Sequence, residues 1–391
     1  MVADLPQELI DAIIYALVAP LDLDSDPWAV ESDAPAAPAI FSALRACSLV
    51  AHAFARPCQE YLFHGIVLDD DGANTRLTDV LNTSPHLGGY VRAVFVESGP
   101  TQSIRDVLRA TTNIIRLDIS PNPPEPLANV PWTDEFAAVF GPSLAQQGLQ
   151  HVTLWSFEFR NAKQLENLLL PNPALKTLVL RLLRFTETEA DVDNDEDGEP
   201  LVNLQRLDLY FFDASTIDAL LAGFKRIDLT KLRSLYLHNT PMSSLVEANS
   251  ATLEVLRIRA YYPDISLNEN VAENALAEAS KLLVLDLYLP FLPSLKRMLH
   301  RLGTLSGLSH LHTVIISVSQ KTGVAEWTEL DQLLGVVGGD LPALKQVRIY
   351  SGSKYDQPHP KEVMHEAMPV LSSRGVLRLL GPNNEALGLD R

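Results

Sequence analysis

Six residues able to hold a partner by stacking and charge occupy one recurring position in this sequence: Trp155, Arg181, Tyr210, His238, Arg259 and Tyr288. Each directly follows a six-residue unit of the form apolar-x-x-apolar-x-apolar, such as LQRLDL at 204–209 and LRSLYL at 232–237. The position between the last two apolar residues adds Asp208, Tyr236, Arg257, Asp286 and Arg348. Alternate side chains of a strand share a face, so both sets belong opposite the apolar residues. Arg, Tyr and Trp dominate the energetic centres of protein interfaces. Large side chains also cover sheet surfaces for their own sake, aromatic ones especially; the hot-spot enrichment is what favours binding. The chemistry fits a protein or peptide with both aromatic and acidic character, and Arg181, Arg257 and Arg259 would also permit phosphate recognition.

Nothing catalytic accompanies them. HExxH, GxSxG, a P-loop and a strand-to-helix GxGxxG are absent. The ten histidines are scattered, and His310 with His312 has no cysteine or carboxylate at metal-ligand spacing. DNDEDG at 193–198 begins like a calcium loop, but the twelfth position is Leu204 and the flanks read as strands. Cys47 and Cys58 lie in helical patterns without a local base and read as small buried residues of a reducing compartment. The expectation is a non-enzyme without metal or cofactor.

The elements that must position the recognition residues are repeats. The six-residue unit starts at residues 91, 114, 149, 175, 204, 232, 253, 282, 311 and 344, with a degraded eleventh at 376–380. The mean interval is about 28 residues, which suits a strand and a return segment per repeat. Several returns have helical spacing: 161–170, 213–224 and 274–283. One such unit cannot bury its own apolar face, so neighbours must stack into a curved parallel sheet with helices and loops on its convex side.

A different pattern precedes the repeats. Asp4 and Pro6 suit a helix start, and Leu9, Ile10, Ile13, Ile14 and Leu17 follow as one stripe. A second helix is expected over 41–54, and Pro57 opens a third that includes CQEYLFHGIVL. Three helices of this size expose more apolar surface than they can bury among themselves.

Taken together, LPQELIDAII, LRACSLVAHAF and ARPCQEYLFHGIVL resemble the F-box, in the version common in fungal proteins. The repeats resemble leucine-rich repeats. The resemblance implies an α/β chain: a three-helix F-box at 1–68, then an irregular leucine-rich-repeat solenoid at 85–391. It further implies that Leu5, Pro6, Leu9, Ile10, Ile13, Ile14, Leu44, Cys47 and Val50 dock on a Skp-type adaptor of a cullin–RING ubiquitin ligase. The concave face, through Trp155, Arg181, Tyr210, Tyr236, His238, Arg257, Arg259 and Tyr288, would then hold the target protein. The alternative is a non-ligase leucine-rich-repeat scaffold whose helices cap the array. Three departures stand out. Residues 18–39 interrupt the F-box with four prolines, five acids and Trp28; the family's common Trp near the end of the second helix is Phe54; and the repeat's turn-bonding Asn occurs only as Asn122. An irregular curvature follows from the last.

The net charge of −18 argues against nucleic acid. Thirteen of the acids sit in 22–33 and 187–199, and without them 36 acids face 31 bases, so the acidity belongs to two loops. No window approaches a membrane span and no signal peptide is expected. The resulting expectation is a cytoplasmic or nuclear chain, monomeric outside its complex.

Overall fold

The computed structural model describes residues 5–19, 37–121, 128–187, 199–241, 244–260, 279–288, 310–318, 327–332, 334–335, 343–351 and 365–380. Asp4, Trp28 with most of the 18–39 insertion, Asn122, the acidic run at 188–198 and the start of the 274–283 return lie outside these residues. Helices alternate with parallel strands in a mixed α/β chain of two compact units, Met1–Phe157 and Glu158–Arg391. The three N-terminal helices therefore share a unit with the first strands, and the boundary expected at 68–85 falls inside that unit.

The first unit opens with α1 (Gln7–Val18), α2 (Ala37–Val50) and α3 (His52–Leu62). The break between α2 and α3 falls at Ala51, whose φ of −157° is extended, rather than at Pro57. Pro57 lies inside α3, and without an N–H it leaves the carbonyl of Ala53 unserved by the helix. Gln7 Nε2 donates to that carbonyl at 3.3 Å and so ties α1 to α3 at the defect. Ile14, Val18, Ile40, Leu44 and Cys58 form the shared core, with Leu17, Phe41, Cys47, Phe54, Tyr61 and Leu62 packed around it.

GIVL, expected as the tail of the third helix, is instead a strand. β1 (Gly65–Leu68) pairs in parallel with β2 (Ala93–Val96), followed by β3 (Arg116–Ile119) and β4 (His151–Trp155). Its exposed–buried alternation puts Ile66 and Leu68 in the core, a period-2 pattern that a helix could not satisfy. The connecting helices are α4 (Asp71–Thr83), α5 (Gln102–Ala110) and α6 (Asp134–Leu144). Asp70 and Thr101 cap the first two by accepting from the N–H of Ala73 at 2.7 Å and Ile104 at 3.4 Å. Trp132, Phe136, Phe140 and Phe157 pack ring against ring beside them.

Among the described residues of the second unit, eight parallel strands follow one another in the main sheet: β5 (Thr177–Arg181), β6 (Arg206–Tyr210), β7 (Ser234–His238), β8 (Val255–Arg259), β9 (Val284–Tyr288), β10 (Thr313–Val318), β11 (Gln346–Ser351) and β12 (Leu377–Leu380). All ten repeated units, and the degraded eleventh, are thus strands. α7 (Ala162–Leu169) and α8 (Ala214–Gly223) occupy the first two helical returns, and α9 (Ser244–Asn249) and α10 (Pro369–Ser373) supply two more. Asn161 and Asp213 cap α7 and α8.

Buried polar side chains on the helical layer brace the segments around them. Glu166 Oε1 accepts from the N–H groups of Lys225 (2.6 Å), Arg226 (2.5 Å) and Ile227 (3.2 Å). Asn249 joins the N–H of Leu232 and the carbonyls of Leu229 and Leu245, and Asp331 accepts from Val370 and Leu371 at the start of α10. Gly223 permits close approach of α8 to α7, since a Cβ there would stand 2.5 Å from that of Ala162. Thr240 sits three residues past an apolar unit, where the repeat pattern has Asn. Its Oγ1 accepts from the N–H of Phe212 at 3.2 Å and lies 3.0 Å from the carbonyl of His238, so a hydroxyl bonds this turn.

The residue after the strand end is left-handed four times: Ser156 (φ 58°), Leu182 (50°), Phe211 (63°) and Asn239 (47°). In each of the last three, the N–H bonds the strand-end carbonyl of the next strand, from Leu182 to Tyr210 at 3.0 Å, Phe211 to His238 at 2.7 Å and Asn239 to Arg259 at 2.6 Å. The turn returns Leu183, Phe212 and Thr240 to the interior. These bonds, together with burial of the following residue, offset a conformation that disfavours side chains with a Cβ.

Candidate functional site

The parallel register brings the recognition residues of the second unit into one row. Arg181 lies beside Tyr210, Tyr210 beside His238, His238 beside Arg259, and Arg259 beside Tyr288, each at the end of its strand. One residue pair earlier, Val179, Asp208, Tyr236, Arg257 and Asp286 form a second row on the same polar face. Trp155 ends β4 in the first unit, half-buried, and is described within that unit. Arg348 lies on β11 with its guanidinium on Gln346 at 2.9 and 3.0 Å; the side chain of Tyr350 is outside the described residues.

Stacking organises the row. The Arg181 guanidinium sits 4.2 Å from the Tyr210 ring centroid, and that of Arg259 sits 5.5 Å from Tyr236. Tyr210 meets Tyr236 edge-on at 5.1 Å and lies 5.0 Å from the His238 ring. Phe211, outside the predicted set, adds a further ring 5.0 Å from His238 and is 45% exposed. Arg181 and Tyr236 are buried by these contacts, at 6% and 7% exposure. They act as supports, whereas Tyr210, His238, Arg259 and Tyr288 are half-buried and Arg257 is exposed.

Electrostatics divide the arginines. Arg206 forks onto Asp208 at 2.6 and 2.9 Å, and in the first unit Arg116 does the same to Asp118. Both pairs are spaced i, i+2 on one strand face, and the sequence signal is the twice-used RLD. Arg257 Nε lies 3.6 Å from Asp286 Oδ2. Burial pushes the Asp286 carboxyl above its usual range, against the pull of Arg259 and Arg257. Burial, reinforced by Arg259 and Arg181, takes His238 down to about 4, so its imidazole is neutral near pH 7.

No family model matches this chain, and no curated protein matches it either.

At the other end, the stripe on α1 is split. Ile10, Ile14 and Leu44 are buried at 2% or less and belong to the packing between helices, and Cys47 is half-buried. Leu9 (52%) and Ile13 (50%) stay exposed on one face of α1, and Leu5 (43%) and Pro6, just ahead of the helix, are exposed too. Val50, with Leu49 beside it at 87%, is exposed at the end of α2. Of the nine residues named for adaptor docking, five are therefore accessible and three are core. Cys58 is buried, which pushes its thiol up and away from reactivity. Among the described residues no three His, Cys, Asp or Glu side chains gather as a metal-ligand group, and no helix is long and apolar enough to cross a membrane.

Proposed function

We propose that the chain is a non-catalytic substrate receptor of a Skp–cullin–F-box ubiquitin ligase. In this reading α1–α3 are an F-box that docks on the Skp-type adaptor. The parallel strands with their helical returns are an irregular leucine-rich-repeat array, and the polar face holds a target protein in the cytoplasm or nucleus. The observation that carries the reading is the division of the helical stripe on α1: Ile10, Ile14 and Val18 turn inward, while Leu9 and Ile13, with Leu5 ahead of the helix, remain bare. Large apolar side chains at i and i+4 of a helix, with Leu5 just ahead of its first turn, make a patch suited to a groove on a partner. Ubiquitin transfer would follow from proximity, since tethering the target beside the loaded conjugating enzyme makes the encounter effectively intramolecular.

One observation favours the second reading, a scaffold whose helices only cap the repeats: α1–α3 lie in the same compact unit as β1–β4. Co-purification with the adaptor separates the two. The ligase reading expects a stable complex that Leu9→Asp with Ile13→Asp abolishes; the scaffold reading expects no complex at all.

A further inference from the structure

The first unit has an open sheet edge at β1. Among the described residues β1 pairs with β2 on one side and with no strand on the other. The carbonyls of His64 and Leu68 accept from the N–H groups of Ala93 at 2.9 Å and Glu97 at 3.0 Å. Alternation along a parallel ladder therefore turns the N–H and C=O groups of Gly65 and Val67 away from β2. No hydrogen bond reaches those groups from the described residues, and both residues are exposed, Val67 at 52%. A free strand edge is a template for a further strand.

The end of the edge decides which strand. Asp69 and Glu97 directly follow β1 and β2, which stay in register up to Leu68 and Val96. Neither acid has an ion-pair partner among the described residues. Burial pushes the Glu97 carboxyl up, and the neighbouring Asp69 adds to it. The next two acids are committed: Asp70 caps α4, and Asp71 accepts from the Ser103 hydroxyl at 2.5 Å. A second copy pairing through its own β1 about Val67 would bring no cation, since it sets Gly65 against Asp69 when antiparallel and Asp69 against Asp69 when parallel.

We propose that the β1 edge takes an extended basic segment of another protein as an antiparallel strand, with Lys or Arg opposite Asp69 and an apolar residue, two positions later, opposite Val67. Antiparallel ladders are slightly more stable per residue than parallel ones. Opposed residues share a face, so both side chains lie on the polar face of the sheet beside those of Asp69 and Val67. The apolar residue exchanges both backbone bonds with Val67, and the cation relieves the unpaired carboxylates. The inference is independent of the ligase reading, because the α1 patch and the row from Arg181 to Tyr288 take no part in it.

The test is fluorescence anisotropy of a fluorescein-labelled nonapeptide centred on Lys-Thr-Val-Thr-Thr, titrated with the full chain. Saturable binding is expected. N-methylation of the Val, whose N–H faces β1, should weaken it at least tenfold, whereas N-methylation of the Thr before it, whose N–H points away, should change it less than about threefold. Glu in place of Lys should also weaken binding at least tenfold, and Asp69→Asn with Glu97→Gln should bring the Lys and Glu peptides within about threefold of each other. That loss of discrimination with binding retained is a result a merely misfolded variant cannot produce. Absence of binding overturns the proposal, as does an equal or reversed effect of the two methylations. A Lys preference that survives the double substitution overturns it too. So does a dimer, seen by sedimentation, that excludes the peptide, since it would give the edge to a second copy.

Discussion

Replacing Glu166 probes how the helical layer holds the second unit together. The side chain is fully buried in α7, three backbone N–H groups converge on Oε1, and Lys163 Nζ stands 3.3 Å from Oε2. Glu166→Ala orphans those three donors, that of Ile227 in the interior and those of Lys225 and Arg226 partly buried. An orphaned buried group costs about 1–3 kcal/mol and a partly buried one less, so the three together cost about 4 kcal/mol. Glu166→Gln retains an acceptor but exchanges charge-assisted bonds for neutral ones roughly half as strong, and it aims an amide N–H at Lys163; the cost is about 2 kcal/mol. For a unit of this size about 2–4 °C of melting temperature accompanies each kcal/mol, so the expected drops are about 8–16 °C for Ala and 4–8 °C for Gln. Thermal melting followed by circular dichroism reads them, and amide exchange at 225–227 should accelerate in the same order. An alanine variant melting within about 2 °C of the parent, or a glutamine variant worse than alanine, refutes the bracing argument.

Three further outcomes follow from the polar face and its turns. At Phe211 (φ 63°) glycine should be more stable than alanine by about 1 kcal/mol, the reverse of a helix, because only glycine is at ease in that conformation; equal melting of the two variants contradicts it. His238 titrates at about 4 in the fold and near 6.5 when unfolded, so the unfolded chain takes up its proton first as pH falls. Its contribution is present above pH 6.5 and lost on the way down to 4. The ceiling is roughly 3 kcal/mol, discounted to about 2 because the ring is partly exposed. His238→Gln should flatten that part of the stability profile, and an unchanged slope counts against the assignment. The raised Asp286 carboxyl implies that its charged form is disfavoured in the fold, so its cost appears as pH rises through and above the ordinary carboxylate range. Asp286→Asn should therefore raise the melting temperature at pH 7 but not at pH 3, and destabilisation at pH 7 would show that the arginines outweigh burial.

The repeats were legible because strand register repeats with the sequence unit. Placing Tyr210, His238 and Arg259 one residue past LQRLDL, LRSLYL and LEVLRI was enough to align them, and the parallel ladder keeps that alignment. Which side chains of the row are accessible was not legible. Arg181 and Tyr236 are covered by rings on neighbouring strands, a cross-strand effect that no single unit contains. Phe211 carries no sequence signal, because its exposure depends on a left-handed turn without glycine. In the sequence GIVL reads as helix because Tyr61, Leu62 and Phe63 continue an apolar run into it, and the alternation shows only once Ile66 and Leu68 find Val94 and Val96. α4 and α5 carried readable capping signals at Asp70 and Thr101, but their apolar stripes are short. In α1, periodicity marks the whole stripe as apolar, and it cannot divide Ile10 and Ile14 from Leu9 and Ile13, since that division depends on where α2 and α3 pack.

Co-expression of the full chain with a Skp-type adaptor, followed by co-purification, tests the central claim most directly. The parent protein should form a stoichiometric complex. Leu9→Asp with Ile13→Asp should weaken it at least a hundredfold, about 2.7 kcal/mol or more, with melting unchanged because both side chains are about half exposed. A chain that folds normally, with α1–α3 intact, and leaves the adaptor in the flow-through would contradict the ligase reading.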